Sequence, residues 1–163
     1  MNHKLDPQDS IKIIGIGNAY PPDNLGHLIA HQIEQKKLIS AHLHPQFLYV
    51  HSPTPELFNI IDNSPTFYID AMKSGQKPGS IHCLTLPQIL CHQSSISSHE
   101  IGLIHSLKLI HSLKNEINTM AIFGIEVSED SFLDDKYCIN TANIIADEIN
   151  LRSQSLNSRC FKK

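Results

Sequence analysis

The sequence predicts an α/β fold: a three-layer α/β/α sandwich around a mostly parallel five-stranded sheet. Three observations carry this. Short β-branched runs alternate along the chain with helix-period segments, the order that builds a sheet covered on both faces. The first run, IKIIGI at residues 11–16, is apolar almost throughout, as a strand buried on both sides is. The link between the third and fourth strands, KSGQKP, is too short for a parallel crossover, which needs about a dozen residues. Strand four is therefore expected antiparallel to strand three and beside it.

Residues 1–10 read as a loose lead-in, 11–152 as one α/β domain and 153–163 as a polar, frayed tail. The first strand ends at Gly17 and Asn18, residues that tolerate a sharp exit. Pro21 and Pro22 stiffen the loop, and a helix over 25–37 follows with Leu25, Leu28, Ile29, Ile33 and Lys36 on one side. The second strand lies within 44–51. Ser52-Pro53-Thr54-Pro55 breaks it and starts a short helix, with Thr54 as N-cap and Pro55 in the first helical position. The third strand is TFYIDA, 66–71, and the fourth 79–86. Residues 87–98 carry the chain back, a helix runs over 99–114, and TMAIFGI forms the fifth strand. The last helix, 135–151, has Cys138, Ala142, Ile145 and Ile149 as its core stripe.

Composition excludes several classes. The 163 residues suffice for one domain with a real core. A net charge of −3 and no basic face argue against nucleic acid. The opening MNHKLDPQDS does not read as a signal peptide, and no apolar run has the length of a membrane span. Cys83, Cys91, Cys138 and Cys160 are far apart with no CxxC pair, the pattern of reduced thiols in a cytoplasmic protein. The GIGN turn is not a dinucleotide fingerprint, since Tyr20 stands where the third glycine of GxGxxG belongs. A P-loop and a GxSxG elbow are absent, and no Ser or Cys stands in a triad pattern.

Topology brings three chemistry-bearing residues to one edge. Asp23 and Asp70 follow the carboxyl ends of strands one and three. His99 begins the helix that feeds strand five, which must start at that same edge. Ligands of open α/β sheets bind there. Carboxylate and imidazole donors suit nickel, zinc or another divalent first-row ion and leave coordination positions open. Asp23 and Asp70 equally suit an acid–base pair. Asp23 as a plain helix cap and His99 as an exposed residue are the bland alternatives.

Three blocks add a family resemblance. IIGIGNAYPPDNLG, FYIDAMKSGQKPGSI and SSHEIGL resemble, in order and interval, the blocks of the hydrogenase maturation endopeptidases, which trim the C-terminus of the large subunit of nickel–iron hydrogenases. FGIEVSE and the last helix fit as well, so the resemblance covers residues 11–150. It implies that Asp23, Asp70 and His99 are the catalytic and metal-reading residues, binding nickel carried by the precursor. It implies no permanently bound cofactor, no conventional nucleophile, substrate contacts near Asn18 and Thr54, and a hydrogenase large-subunit precursor as partner. There are departures. The first block is one residue short, and its acidic pair is reduced to Asp23 followed by Asn24. Alignment from Gly26 puts Asp23 at the ligand position; alignment from Asn18 puts Asn24 there. A G-G-T turn after strand two is replaced by Ser52-Pro53-Thr54. The second class of function in play is a diverged, non-catalytic α/β binding module with the same fold.

Overall fold

A computed structural model describes residues 10–51, 53–91, 98–114, 118–128 and 134–160, with side chains omitted at 53–55, 98–101 and 155–160. The strands are β1 (Lys12–Ile16), β2 (Gln46–Val50), β3 (Thr66–Met72), β4 (Ile81–Leu84) and β5 (Thr119–Glu126). The helices are α1 (Leu25–Gln35), α2 (Pro53–Ile60), α3 (Leu86–Cys91), α4 (Ser98–Leu113) and α5 (Asp135–Cys160), with a 3-10 turn at Ala41–Leu43.

The sheet order is β2-β1-β3-β5-β4. The first three pairings are parallel, and only β4 against β5 is antiparallel. The expected direction of β4 is correct; its expected place is not. The short link fixes that β4 turns back, but β5 inserts between it and β3, where it gains a ladder on each side.

Alternation along the strands builds two cores. Ile13, Phe67, Ile69, Phe123 and Ile125 face α1 and α5. Ile14, Ile16, Tyr68 and Ile122 face α2, α3 and α4. Both sides of β1 and β3 are sealed, which explains their near-continuous apolar sequence. Each fully buried Ile or Phe contributes about 1.5–3 kcal/mol of burial free energy.

Several elements differ from expectation. The buried face of α1 is Leu25, Gly26, Ile29, Ala30 and Ile33, while Leu28 is 44 % exposed. Small residues at 26 and 30 let the helix lie close to β1: a Cβ on Gly15 would come 2.8 Å from the Gly26 carbonyl and 2.9 Å from Ala30 Cβ. Helix α2 begins at Pro53, so Thr54 lies inside it and not at its cap; proline suits that first position because its missing N–H has no helical partner there. Helix α3 occupies part of the stretch expected only to return the chain. Helix α5 continues past its expected end to Cys160, with Ser153 fully buried. Residues 1–9 of the lead-in and 161–163 of the tail lie outside the described residues.

The amino edge of the sheet is tied by one buried cation. Lys12 Nζ donates to Ile60 O and to Asp62 Oδ2, both at 2.7 Å. Burial alone would push the Asp62 carboxyl up, but its bonds to Lys12 and Ser64 outweigh this and hold it below the ordinary carboxylate range.

Candidate functional site

Asp23 stands in a loop wound tightly on itself after β1. Asn18 N–H donates to Asp23 O at 3.3 Å, Asn24 N–H to Tyr20 O at 3.1 Å, and Leu25 N–H to Pro22 O at 3.2 Å. The Pro21–Pro22 bond is cis. A Cβ on Gly17 would stand 2.1 Å from Asp23 O, so only glycine lets the loop close over the strand end. The Asn18 side chain organises the interior: Oδ1 accepts the Tyr20 N–H at 2.7 Å, and Nδ2 donates to Asp23 Oδ2 at 3.1 Å. The Asp23 carboxylate is half-buried, and that is its one hydrogen bond among the described residues. The N-cap position of α1 belongs to Asn24, whose side chain makes no cap bond. Asp23 is therefore oriented by Asn18 rather than spent on the helix.

Gly26 brings this loop against the neighbouring strand. A Cβ there would stand 2.2 Å from Ile16 O and 2.4 Å from Ile69 O, so α1 starts in contact with the carboxyl ends of both β1 and β3. Asp70 follows Ile69 and is half-buried. The structure thus brings Asp23 and Asp70 to the ends of adjacent parallel strands. Asp70 points to the α4 face, where it lines a cavity with Leu103 and Ile104 of α4.

His99 is in the first turn of α4, four residues or about 6 Å along the axis before Leu103. Its backbone is at the carboxyl edge, as topology predicts; its side chain lies outside the described residues. The same holds for Thr54, in the first turn of the helix that follows β2. Among the described residues no three His, Cys, Asp or Glu side chains are grouped to hold a metal ion, a search that does not include the His99 ring.

Other groups at this edge were not singled out from sequence. His27 Nε2 lies 3.0 Å from Val50 O, which also accepts the Gly17 N–H at 3.1 Å, so one carbonyl joins β2, the exit from β1 and α1. The buried Glu126 at the end of β5 closes the loop after β3: Oε1 accepts the N–H groups of Ser74, Gly75 and Gln76 at 2.8, 2.8 and 3.2 Å, and Oε2 the Ser74 hydroxyl at 2.7 Å. Tyr20, 76 % exposed, stands on the Asp23 loop. Cys83 and Cys138 are free thiols; burial pushes both up, away from the thiolate a nucleophile needs.

The fold is that of the hydrogenase maturation proteases. The nickel–iron hydrogenase maturation protease HybD from Thermococcus kodakarensis superposes with a TM-score of 0.65 at 24% identity, over 86% of this chain and 99% of that one. HycI from Thermococcus kodakarensis KOD1 gives 0.61 at 18%, over 88% and 92%. The maturating endopeptidase HybD from E. coli gives 0.56 at 20%, over 88% and 91%. A scan of family models finds no match. A search of curated proteins finds none either. The shared property is thus the architecture. Within the described residues no helix is long and apolar enough to cross a membrane.

Proposed function

We propose that this protein is a diverged hydrogenase maturation endopeptidase. It removes a C-terminal peptide from the large-subunit precursor of a nickel–iron hydrogenase, in the cytoplasm, after nickel has been inserted. Asp23, Asp70 and His99 read the nickel, which arrives as part of the substrate; the protein keeps no metal of its own. The observation that carries the reading is the pair of carboxylates at the ends of β1 and β3, one held outward by Asn18 and the other on the face beneath α4. The architecture shared with solved maturation proteases supports it.

An open set of two carboxylates and an imidazole binds a divalent ion weakly alone, and better when the precursor supplies further ligands. The metal then works as a checkpoint, because a precursor without it lacks the shared contact and docks less well. Substrate contacts near Asn18 and Thr54 place the peptide along the same edge. Activation of the hydrogenase follows from the cut.

The test uses a precursor with its C-terminal extension, nickel-loaded and nickel-free, followed by mass spectrometry. The loaded form should be shortened and the unloaded form spared. A matched, loaded precursor left whole would favour the binding-module reading. Equal cutting of both forms would remove the checkpoint while leaving a protease.

A further inference from the structure

A cavity of about 20 Å³ lies between the sheet and α4, lined by Asp70, Met72, His82, Leu84, Leu103 and Ile104 among others. Its polar members are set by register. Asp70 pairs with Gly124 across the parallel ladder, and His82 pairs with the same Gly124 across the antiparallel one. The three residues form one row across β3, β5 and β4, so their side chains leave the sheet on the same face. The middle residue has no side chain, and the Met72 sulfur occupies that space, 2.4 Å from where a Gly124 Cβ would stand. An imidazole thus shares an otherwise apolar cavity with the Asp70 carboxyl.

His82 Nε2 is shut off from bulk solvent and has no hydrogen-bond partner among the described residues. A buried polar atom left so is costly, and such atoms in native proteins are commonly satisfied by an internal water. One water needs a cavity of about 10–15 Å³ and at least two polar neighbours. The volume here is sufficient, and His82 and Asp70 are the side chains that supply the polar contacts.

We infer that this cavity holds one ordered water between His82 Nε2 and Asp70, and that this water is the one consumed in the cut. Its role in the cut rests on the peptidase reading; its presence does not. Peptide hydrolysis needs a positioned oxygen, and this chain shows no serine or cysteine in a nucleophile pattern. The water oxygen bonds to the scissile carbonyl carbon and the carbon–nitrogen bond breaks. One water proton ends on the released amine, and the other hydrogen belongs to the new carboxyl group. His82 holds the water in place through Nε2, which can donate to it or accept from it in either neutral tautomer. Proximity of this kind accounts for large parts of a hydrolytic rate.

The experiment combines a high-resolution crystal structure of the wild-type protein with kinetics of His82→Leu and His82→Gln on the nickel-loaded precursor. An ordered water should appear about 3 Å from Nε2. His82→Leu should lower kcat by about 10–100-fold with KM little changed, the scale of a misplaced reactant. His82→Gln, which keeps a polar group near the same point, should recover part of the loss. A dry cavity around Nε2, or a folded His82→Leu protein with wild-type kcat, would overturn the inference and leave the peptidase reading intact. An ordered water in a wild-type protein that cuts no loaded precursor would uphold the water site and remove the peptidase reading alone.

Discussion

Two loops at the same edge of the sheet handle a carboxylate in opposite ways. After β3, residues 73–80 fold around Glu126, whose side chain is 1 % exposed and accepts three backbone N–H groups and one hydroxyl. After β1, the loop bonds its own backbone and directs the Asp23 carboxylate outward on a single amide from Asn18. A carboxylate offers about four lone-pair sites. Glu126 has used them on the fold, whereas Asp23 retains capacity for a ligand. The number of donors already committed therefore separates a structural acid from a functional one, where distance from the site does not.

The largest expected effect sharpens that contrast. Asp23→Asn and Asp70→Asn are nearly isosteric and should leave the circular dichroism spectrum unchanged. Each should reduce trimming of nickel-loaded precursor by about 100-fold or more, beyond the roughly 10–100-fold that follows loss of a supporting residue behind a metal ligand. Calorimetry with nickel should show the same loss of binding. Wild-type trimming by either variant would remove that acid from the site.

Next in size is the opposite pattern. Glu126→Ala should cost about 1.5–3 kcal/mol in urea unfolding, the range for hydrogen bonds to a charged group. The freed amides belong to an exposed loop, so water compensates part of the loss. Nickel affinity should stay near wild type. A Glu126 variant with full stability and no nickel binding would reverse the roles assigned to the two acids.

Smaller again is Gly26→Ala. Its Cβ would meet two backbone carbonyls, Ile16 O and Ile69 O, neither of which can rotate away. Overpacking of this kind costs about 1–3 kcal/mol, and α1 must lift off the ends of β1 and β3. Thermal unfolding should register the strain. Because the Asp23 loop moves with the helix, trimming should fall as well. Unchanged melting would mean that α1 does not seat on these strand ends.

The layers, the strand directions and the edge that gathers Asp23 and Asp70 were legible in the sequence because period-2 and helix-period patterns are local. The place of β4 was not, since a short link fixes direction while lateral order depends on which strand fills the gap. Helix α3 carried a readable signal that was passed over: Thr85 and Gln88 form a capping box, with Gln88 Oε1 accepting the Thr85 N–H at 2.8 Å and the hydroxyl at 2.9 Å. Glu126 and His82 had no local signature. The first depends on a loop about fifty positions earlier, and the second on a row through Gly124 that exists only once three strands are paired. Asn18 was read as a substrate contact by resemblance, whereas its side-chain bonds lie inside the loop, to Tyr20 and Asp23.

That last difference supplies the smallest effect and the finest test of the comparison. If Asn18 serves by aiming Asp23, its two hydrogen bonds act separately. Asn18→Ala loses both and should cost about 0.5–1.5 kcal/mol of stability for each partly exposed bond at most. Nickel affinity should drop by about tenfold, the lower end of the effect of a supporting residue. Asn18→Asp keeps an oxygen for the Tyr20 N–H but replaces the donor facing Asp23 with a second negative charge. It should retain more of the loop's stability than the alanine variant while turning or crowding the Asp23 carboxylate. The two variants should therefore rank differently in urea unfolding and in nickel calorimetry of the protein alone. A direct substrate contact predicts instead that both bind free nickel like wild type and differ only in KM for the precursor. That result would return Asn18 to the peptide groove and leave Asp23 aimed by its backbone alone.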